Sequence, residues 1–337
     1  MVRECMLGGL KVNDRAISLL EQYDIEVLRT RKGRSAILCD TEKGCYIFKE
    51  YTGNEKRITM QDKLLKTIRE QGTIRAEMIV PTKEDALVVK DADGVQYILK
   101  TYREGRECNI YEREECAEAV RLLAQLHKSM ELPTDTEDLP AAFSPTAEYT
   151  KRNKELKKVR KFLQQRSQKT WFEIRLINTF NFFLEQALMV TEEWSGYENS
   201  LDIPNNCYCH GDYQYHNILK TGEDWFVINF EKCLPDSPVR DLYHLLRKLL
   251  EKSNWSVALG EALLAEYERE NPLSAINRTD LYYRLAYPEK FWKIANFYYN
   301  SGKAWIPERN QEKLDKLIEQ EKEKQHFLDE LFRNVSC

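Results

Sequence analysis

Long apolar runs are missing from this chain of 337 residues. None approaches the roughly 20 consecutive apolar residues that cross a bilayer, so no membrane insertion is expected. The first residues, Met1 to Lys11, have no apolar core of the kind a signal peptide needs, which points to a cytoplasmic protein. No Cys-x-x-Cys pair occurs among the nine cysteines, and Cys207-Tyr208-Cys209-His210 has no second half to close a zinc site. Reduced thiols packed in a core are the plain reading. Charge of one sign is not in excess either. The 51 Lys and Arg against 55 Asp and Glu leave a net charge of −4, which gives no overall pull toward nucleic acid. What is there, 42% hydrophobic and 31% charged residues, is an ordinary globular balance over a length sufficient for two packed lobes.

The periodicity changes once along the chain. Asn13 or Asp14 can cap a short helix running to Tyr23. Strand-like segments follow at residues 26–30, 35–39 and 45–50, with turns at Lys32-Gly33 and Lys43-Gly44. A helix is predicted over about 55–71, stopped by Gly72, then two strands at 86–90 and 96–102 paired across Asp93-Gly94. Beyond Tyr102 the pattern turns helical. Residues 111–130 space Cys116, Ala119, Val120, Leu123 and Leu126 as one face, 131–147 read as a loop, and 148–195 as a long helical pair. Helices resume at Pro238. The prediction is an α+β protein, with a small antiparallel sheet and one packed helix over 1–101 and a large, mostly helical part over 102–337.

The most informative run is Cys209-His210-Gly211-Asp212-Tyr213-Gln214-Tyr215-His216-Asn217-Ile218-Leu219. It sets an Asp five residues before an Asn and is followed by a hairpin with its turn at Thr221-Gly222-Glu223-Asp224 and a strand over 225–230. Kinase-type catalytic loops have this layout, with Asp212 as base for an incoming hydroxyl and Asn217 as an oxygen ligand for a metal. Turns also use Asp and Asn, but a turn alone does not call for His-Gly-Asp before a clean hairpin. Lys49 ends the strand Tyr46-Ile47-Phe48-Lys49 on the face of Ile47 and can reach phosphates from there. A lysine ending a strand is ordinarily just solvated, and it is the loop downstream that favours the phosphate reading. The basic hairpin Arg29 to Ser35 has a single glycine, so it reads equally well as a phosphate cradle or as a plain surface turn.

Two charges of such a site are absent. Where a second metal carboxylate is expected, the chain has Asn229, and Glu231 can substitute only if the strand continues far enough to put both on one face. Where the helix over 55–71 should carry a carboxylate to pair with Lys49, it has Gln61; Asp62 is adjacent but points about 100° away.

Assembled, these residues resemble the kinase-like superfamily of aminoglycoside phosphotransferases and choline kinases, whose loop reads HGDxxxxN. More narrowly, the chain resembles the CotS family of bacterial spore coat-associated proteins. The match rests on Gly105-Arg106-Glu107-Cys108, Leu123 to Lys128, Cys209 to Leu219, Asn229 to Cys233, Pro238 to Leu242, Pro288 to Lys293, and Tyr298-Tyr299-Asn300 through Lys303-Ala304-Trp305. The resemblance implies a two-lobed protein kinase-like fold. It also implies nucleotide contacts from Lys49, a hinge beside adenine at Thr101 and Tyr102, and Leu219 as its floor. Asp212 would then be the base, Asn217 a metal ligand, and His210 and Asp241 structural supports of the loop. That family's pattern ends the strand in DFD, so Asn229 and Glu231 depart from it.

Only ten residues separate Phe230 from Asp241, too few for the activation segment of a protein kinase, so a small-molecule substrate is the expectation for an enzyme. Trp292, Phe297, Tyr298, Tyr299 and Trp305 read as core first and pocket lining second. Between Lys151 and Lys169 nine basic residues face a single acid, Glu155, on a helix made amphipathic by Leu156, Val159 and Leu163. A solvated face is the default for such a run; docking an acidic coat partner or guiding an anionic substrate are the alternatives, and no nucleic acid is expected. Two functions remain open. One is a coat or assembly protein on a weakened kinase scaffold, associated with the forming spore. The other is an active small-molecule phosphotransferase using ATP and Mg²⁺; without that activity no cofactor is expected.

Overall fold

The computed structural model describes residues 17–33, 36–131, 144–198, 207–301 and 308–333. Two compact units emerge, each built from two stretches of chain: Met1–Asp138 with His210–Leu234, and Leu139–Cys209 with Pro235–Cys337. The boundary expected after residue 101 follows the change of periodicity. Packing gathers the helix over 113–129 and the hairpin over 218–227 into the strand-rich unit.

In the first unit a six-stranded antiparallel sheet is formed by β1 (Val27–Gly33), β2 (Ala36–Thr41), β3 (Gly44–Glu50), β4 (Ile79–Val80), β5 (Val89–Lys90) and β6 (Gln96–Tyr102). The spatial order is β1-β2-β3-β6-β4, with β5 also paired to β6. Five strands were expected; β4, two residues long, is too short to leave a pattern in the sequence. The turn from β5 to β6 is held by Asp91, whose Oδ1 accepts from the N–H groups of Asp93 and Val95 at 2.9 Å each.

Helix α1 (Glu55–Gln71) has its expected bounds for a local reason. The side chain of Asn54 accepts the N–H of Arg57 at 2.9 Å, and Gly72 ends the helix in the left-handed region at φ 69°. The sheet has two distinct faces. On one, Phe48 and Leu99 are opposite each other and fully buried, with Phe48 stacked on Tyr97 at 5.2 Å and edge-on to Tyr23 at 6.2 Å. On the other, register pairs Ile47 with Lys100 and Lys49 with Ile98, so two lysines share a face.

The remainder of this unit is β7 (Arg106–Glu107), helix α2 (Arg113–Ser129) and the hairpin β8 (Ile218–Thr221) to β9 (Asp224–Val227), with the small sheet ordered β9-β8-β7. β9 stops short of the expected end at Phe230. Asn229 takes φ 70°, ψ 54°, a left-handed conformation that asparagine tolerates better than most residues, and turns the chain into a 3₁₀ turn at Phe230–Lys232.

The second unit is helical: α3 (Pro145–Gln165), α4 (Trp171–Glu198), α5 (Val239–Lys252), α6 (Val257–Glu270), α7 (Ala275–Ala286), α8 (Glu289–Ser301) and α9 (Glu308–Leu331). Ser144 caps α3 by accepting the N–H of Ala147 at 3.2 Å. Several of the buried polar groups in these helices are paired. Asn153 donates to Thr191 Oγ1 at 2.8 Å and accepts from the Tyr287 hydroxyl at 3.0 Å, and the buried Arg284 donates to Asp280 at 2.5 Å. No helix among the described residues is long and apolar enough to cross a membrane, and no disulfide joins the described cysteines.

His244 on α5 gives this unit a pH dependence. Burial outweighs the pull of Glu289 and Asp241, and with Arg247 and Arg240 nearby it pushes the imidazole down to about 4. The folded chain therefore binds this proton less readily than the unfolded chain, whose histidines titrate near 6.5. Stability from the neutral ring is fully present above that value and is lost as pH falls from there toward 4, by about 2 kcal/mol at pH 5. Urea unfolding at pH 7.5 and 5 should show this loss, and His244→Gln should flatten it; equal slopes in both proteins would refute the assignment.

Candidate active site

Everything from His210 to Leu234 belongs to the first unit, and the loop is tied down before any ligand is considered. Gly211 sits at φ 78°, and a Cβ there would lie 2.1 Å from the carbonyl oxygen of Lys232, so only glycine fits. The N–H of Asp212 donates to His210 Nδ1 at 3.2 Å, which leaves the ring proton on Nε2, facing the carbonyl of Ile228 at 2.9 Å. His210, fully buried against the Phe230 ring at 4.4 Å, thus ties the start of the loop to the segment that follows β9. Tyr213 donates its hydroxyl to the carbonyl of Ala119 at 2.9 Å and fixes the loop to α2.

Asp212 carries two partners. Lys232 Nζ lies 2.9 Å from Oδ2, and Gln214 donates to Oδ1 at 2.8 Å. Burial raises its pKa, but the hydrogen bond and charge of Lys232 outweigh that, and the carboxyl ends below its ordinary value. Asn217, 1% exposed, gives its Nδ2 to the carbonyl of Asp212 at 2.8 Å. A carbonyl can only accept, so the side-chain orientation is decided: Oδ1 of Asn217 faces the other way and receives Asn229 Nδ2 at 2.7 Å. An amide N–H thus stands against the oxygen that a metal would use. Asp212 and Glu231 are already ion-paired, and the donor set does not fit a divalent cation as arranged.

Glu231 was expected as a replacement metal ligand on the strand face of Asn229. Because β9 ends at Val227, Glu231 leaves the hairpin, and its Oε1 lies 3.1 Å from Lys49 Nζ and 2.5 Å from Lys100 Nζ. Burial works against its ionisation, but the two ammoniums prevail and bring its pKa down to about 2. Lys100 is 2% exposed and bonds Glu77 Oε1 at 2.8 Å as well. Burial favours a neutral amine there, yet both carboxylates hold the ammonium above its usual pKa. Glu77 Oε1 also accepts the N–H of Phe230 at 3.0 Å, and Gln61 donates to the carbonyl of Phe230 at 3.2 Å. Gln61 therefore grips the loop backbone, while the carboxylate that α1 lacks is supplied to Lys49 by Glu231. Asp62 pairs with Lys66 at 2.7 Å.

The remaining expected residues take these places. Thr101 and Tyr102 end β6, with Thr101 N–H on the carbonyl of Met78 and Thr101 Oγ1 accepting Met78 N–H, each at 2.9 Å. Leu219, 4% exposed, lies opposite Phe226 in β8. Asp241 is in the first turn of α5 in the second unit, fully buried. Arg31 of the basic hairpin is paired with Asp40 and Glu104; Arg34 and Ser35 lie outside the described residues, as does Trp305. Phe291 and Tyr298 are core, whereas Phe297 and Tyr299 are 49% and 41% exposed. Sequence reasoning missed Lys100, Glu77 and Lys232. A lysine inside the apolar strand Tyr97-Ile98-Leu99-Lys100 was a readable signal; Glu77 and Lys232 left none.

The family model described as "Spore coat putative kinase YutH" matches residues 17–331. Spore coat protein S of Bacillus subtilis (strain 168) is 32% identical over 126 residues, which are 37% of this chain and 36% of that protein, so the match spans about a third of the curated relative's length. Among solved structures, an aminoglycoside phosphotransferase from Alicyclobacillus acidocaldarius subsp. acidocaldarius DSM 446 superposes with a TM-score of 0.83 at 21% identity, covering 98% of each chain. A spectinomycin phosphotransferase in complex with ADP and spectinomycin has a TM-score of 0.61 at 14% identity, covering 94% of this chain and 93% of that one. An amicoumacin kinase in complex with AMP-PNP, Ca²⁺ and Ami has 0.62 at 11% identity, covering 94% and 92%. These likenesses show the fold: the two-lobed kinase-like architecture expected from the HGDxxxxN loop is the architecture of this chain.

Glu231→Gln should cost about 2–4 kcal/mol of stability, because Lys100 is buried and loses a countercharge while keeping only Glu77. Adding Lys100→Met should recover part of that loss. Urea unfolding of the three variants measures it, and a loss under about 0.5 kcal/mol for Glu231→Gln would mean the network does not balance the lysine.

Proposed function

The chain belongs to the family described as "Spore coat putative kinase YutH", and from that membership we propose that it acts as a coat-assembly protein on a kinase scaffold whose phosphoryl-transfer chemistry is weakened or lost. One observation carries this reading: the Asn229 amide donates to Asn217 Oδ1 at 2.7 Å. An aspartate at that position would set a carboxylate oxygen against the Asn217 carbonyl oxygen, two acceptors that call for a cation between them; the asparagine satisfies the same oxygen by itself. The base is muted as well, since Lys232 neutralises Asp212 and lowers its proton affinity.

The rival reading, an active small-molecule phosphotransferase using ATP and Mg²⁺, also has an observation in its favour. Lys49 keeps a carboxylate partner, though from Glu231 rather than from α1. The interaction role draws on α3. Lys151, Lys154, Lys157, Lys158 and Lys161 are exposed there, while Leu156, Val159 and Leu163 are buried. Between Lys151 and Lys169 the lone acid, Glu155, accepts the Trp292 indole N–H at 2.7 Å and sets a single negative charge against these lysines. Acidic coat proteins are the class of partner this face suits.

Two measurements test the proposal. Wild-type protein with Mg²⁺ should show little ATP turnover, and Asn229→Asp should tighten Mg²⁺-dependent ATP binding by about tenfold or more, as a restored carboxylate in a partly screened cleft adds a few kcal/mol of attraction to the ion. Vigorous wild-type turnover would overturn the non-catalytic reading. Separately, the triple charge reversal Lys154→Glu, Lys157→Glu and Lys161→Glu should reduce incorporation into the coat while leaving the melting temperature nearly unchanged, since exposed substitutions cost little. Normal incorporation would exclude α3 as the docking face.

A further inference from the structure

We propose that the site binds the phosphates of an anionic ligand without a divalent cation, with the ammonium of Lys232 taking the role beside Asp212 that a metal would otherwise fill. The inference deepens the reading of a kinase scaffold with altered chemistry and rests on it.

Charge balance is the first support. Three ammoniums, Lys49, Lys100 and Lys232, and three carboxylates, Asp212, Glu77 and Glu231, pair among themselves at 2.5–3.1 Å. A site with an aspartate at 229 and a carboxylate on α1 would carry surplus negative charge, and binding a polyphosphate there would require an added cation. Here that surplus is gone. An incoming anion meets a neutral cluster whose most accessible member is a cation: the Lys232 side chain is 66% exposed, against 21–23% for Asp212, Glu231 and Lys49, and Lys100 at 2% is sealed by its two carboxylates.

Preorganisation is the second. In a metal-dependent site the ion holds the loop oxygens in place. In this chain the same positions are locked by direct hydrogen bonds: Asn217 to the carbonyl of Asp212, Asn229 to Asn217, His210 to the carbonyl of Ile228, and the backbone of Phe230 to Glu77 and Gln61. The loop has its shape without an ion, so a metal's organising role is already filled. Lysine is suited to the remaining role, since its compact, mobile ammonium binds phosphate as a point charge. Lys232 can exchange Asp212 for a phosphate oxygen, because both partners are on the accessible side of the loop and an exposed ion pair is weakly held.

The ligand class is a phosphate-bearing anion, either a nucleoside triphosphate or a free polyphosphate. Calorimetric titration of the full chain with ATP, tripolyphosphate and adenosine, each in EDTA and in Mg²⁺, tests the proposal. ATP or tripolyphosphate should bind in EDTA, and Mg²⁺ should improve the affinity by less than about threefold or weaken it, because the ion screens the charges the lysines recognise. Binding of ATP alone would identify a nucleotide, equal binding of tripolyphosphate a polyphosphate site. Lys232→Gln should lower the metal-free affinity about tenfold with the melting temperature unchanged. The proposal is overturned if wild type binds only with Mg²⁺, if neither anion binds in EDTA, or if Lys232→Gln has no effect. Each of those results leaves the coat-assembly reading standing. That reading falls instead on measured phosphoryl transfer, which the same samples report as ADP formed.

Discussion

The carboxylate of Glu231 is the contact on which the rest of the site depends. Lys100 is buried inside the sheet, and an ammonium without countercharge at that depth would cost several kcal/mol. Glu231 and Glu77 together make it tolerable, and in doing so they decide the path of residues 229–232. Glu231 cannot reach Lys100 while continuing as a strand, so the chain turns at Asn229 through a left-handed conformation. That turn carries Phe230 to Glu77 and Gln61 and leaves Lys232 beside Asp212.

Seen this way, the neutral residues at 61 and 229 are parts of one rearrangement rather than two separate losses. The carboxylate that pairs with Lys49 comes from the loop rather than the helix, and the ammonium of Lys232 stands beside Asp212. The charges of a kinase-type site are redistributed within the chain itself. Such a site keeps its shape without ligand, which suits the assembly role proposed above.

Much of the fold was legible because its signals are local. Asn54 and Gly72 bound α1, the Asp93-Gly94 turn pairs β5 with β6, and the HGDxxxxN spacing announces the loop and hairpin. The long helical pair of the second unit followed from apolar spacing over 148–195, although the Ser144 cap starts α3 at Pro145, inside the expected loop. Where local reasoning failed, the cause is specific. β4 is too short to show alternation. The end of β9 was misjudged because Val227-Ile228-Asn229-Phe230 reads as strand by composition, while a distant carboxylate–lysine contact bends it away.

By itself the sequence determined the kinase-like architecture, the position of Asp212 and Asn217 on one loop, the strand face of Lys49, and the neutrality of Asn229 and Gln61. Each of these is a matter of residue type and short spacing. Only the tertiary structure decided that Glu231 serves two lysines rather than a metal, that Lys100 and Glu77 belong to the site, and that Asn217 turns its oxygen toward an amide. These contacts join residues as far apart as 131 and 153 positions in the chain. No periodicity records a pairing at such separation; it exists because a buried charge must find its counterion wherever the fold brings one.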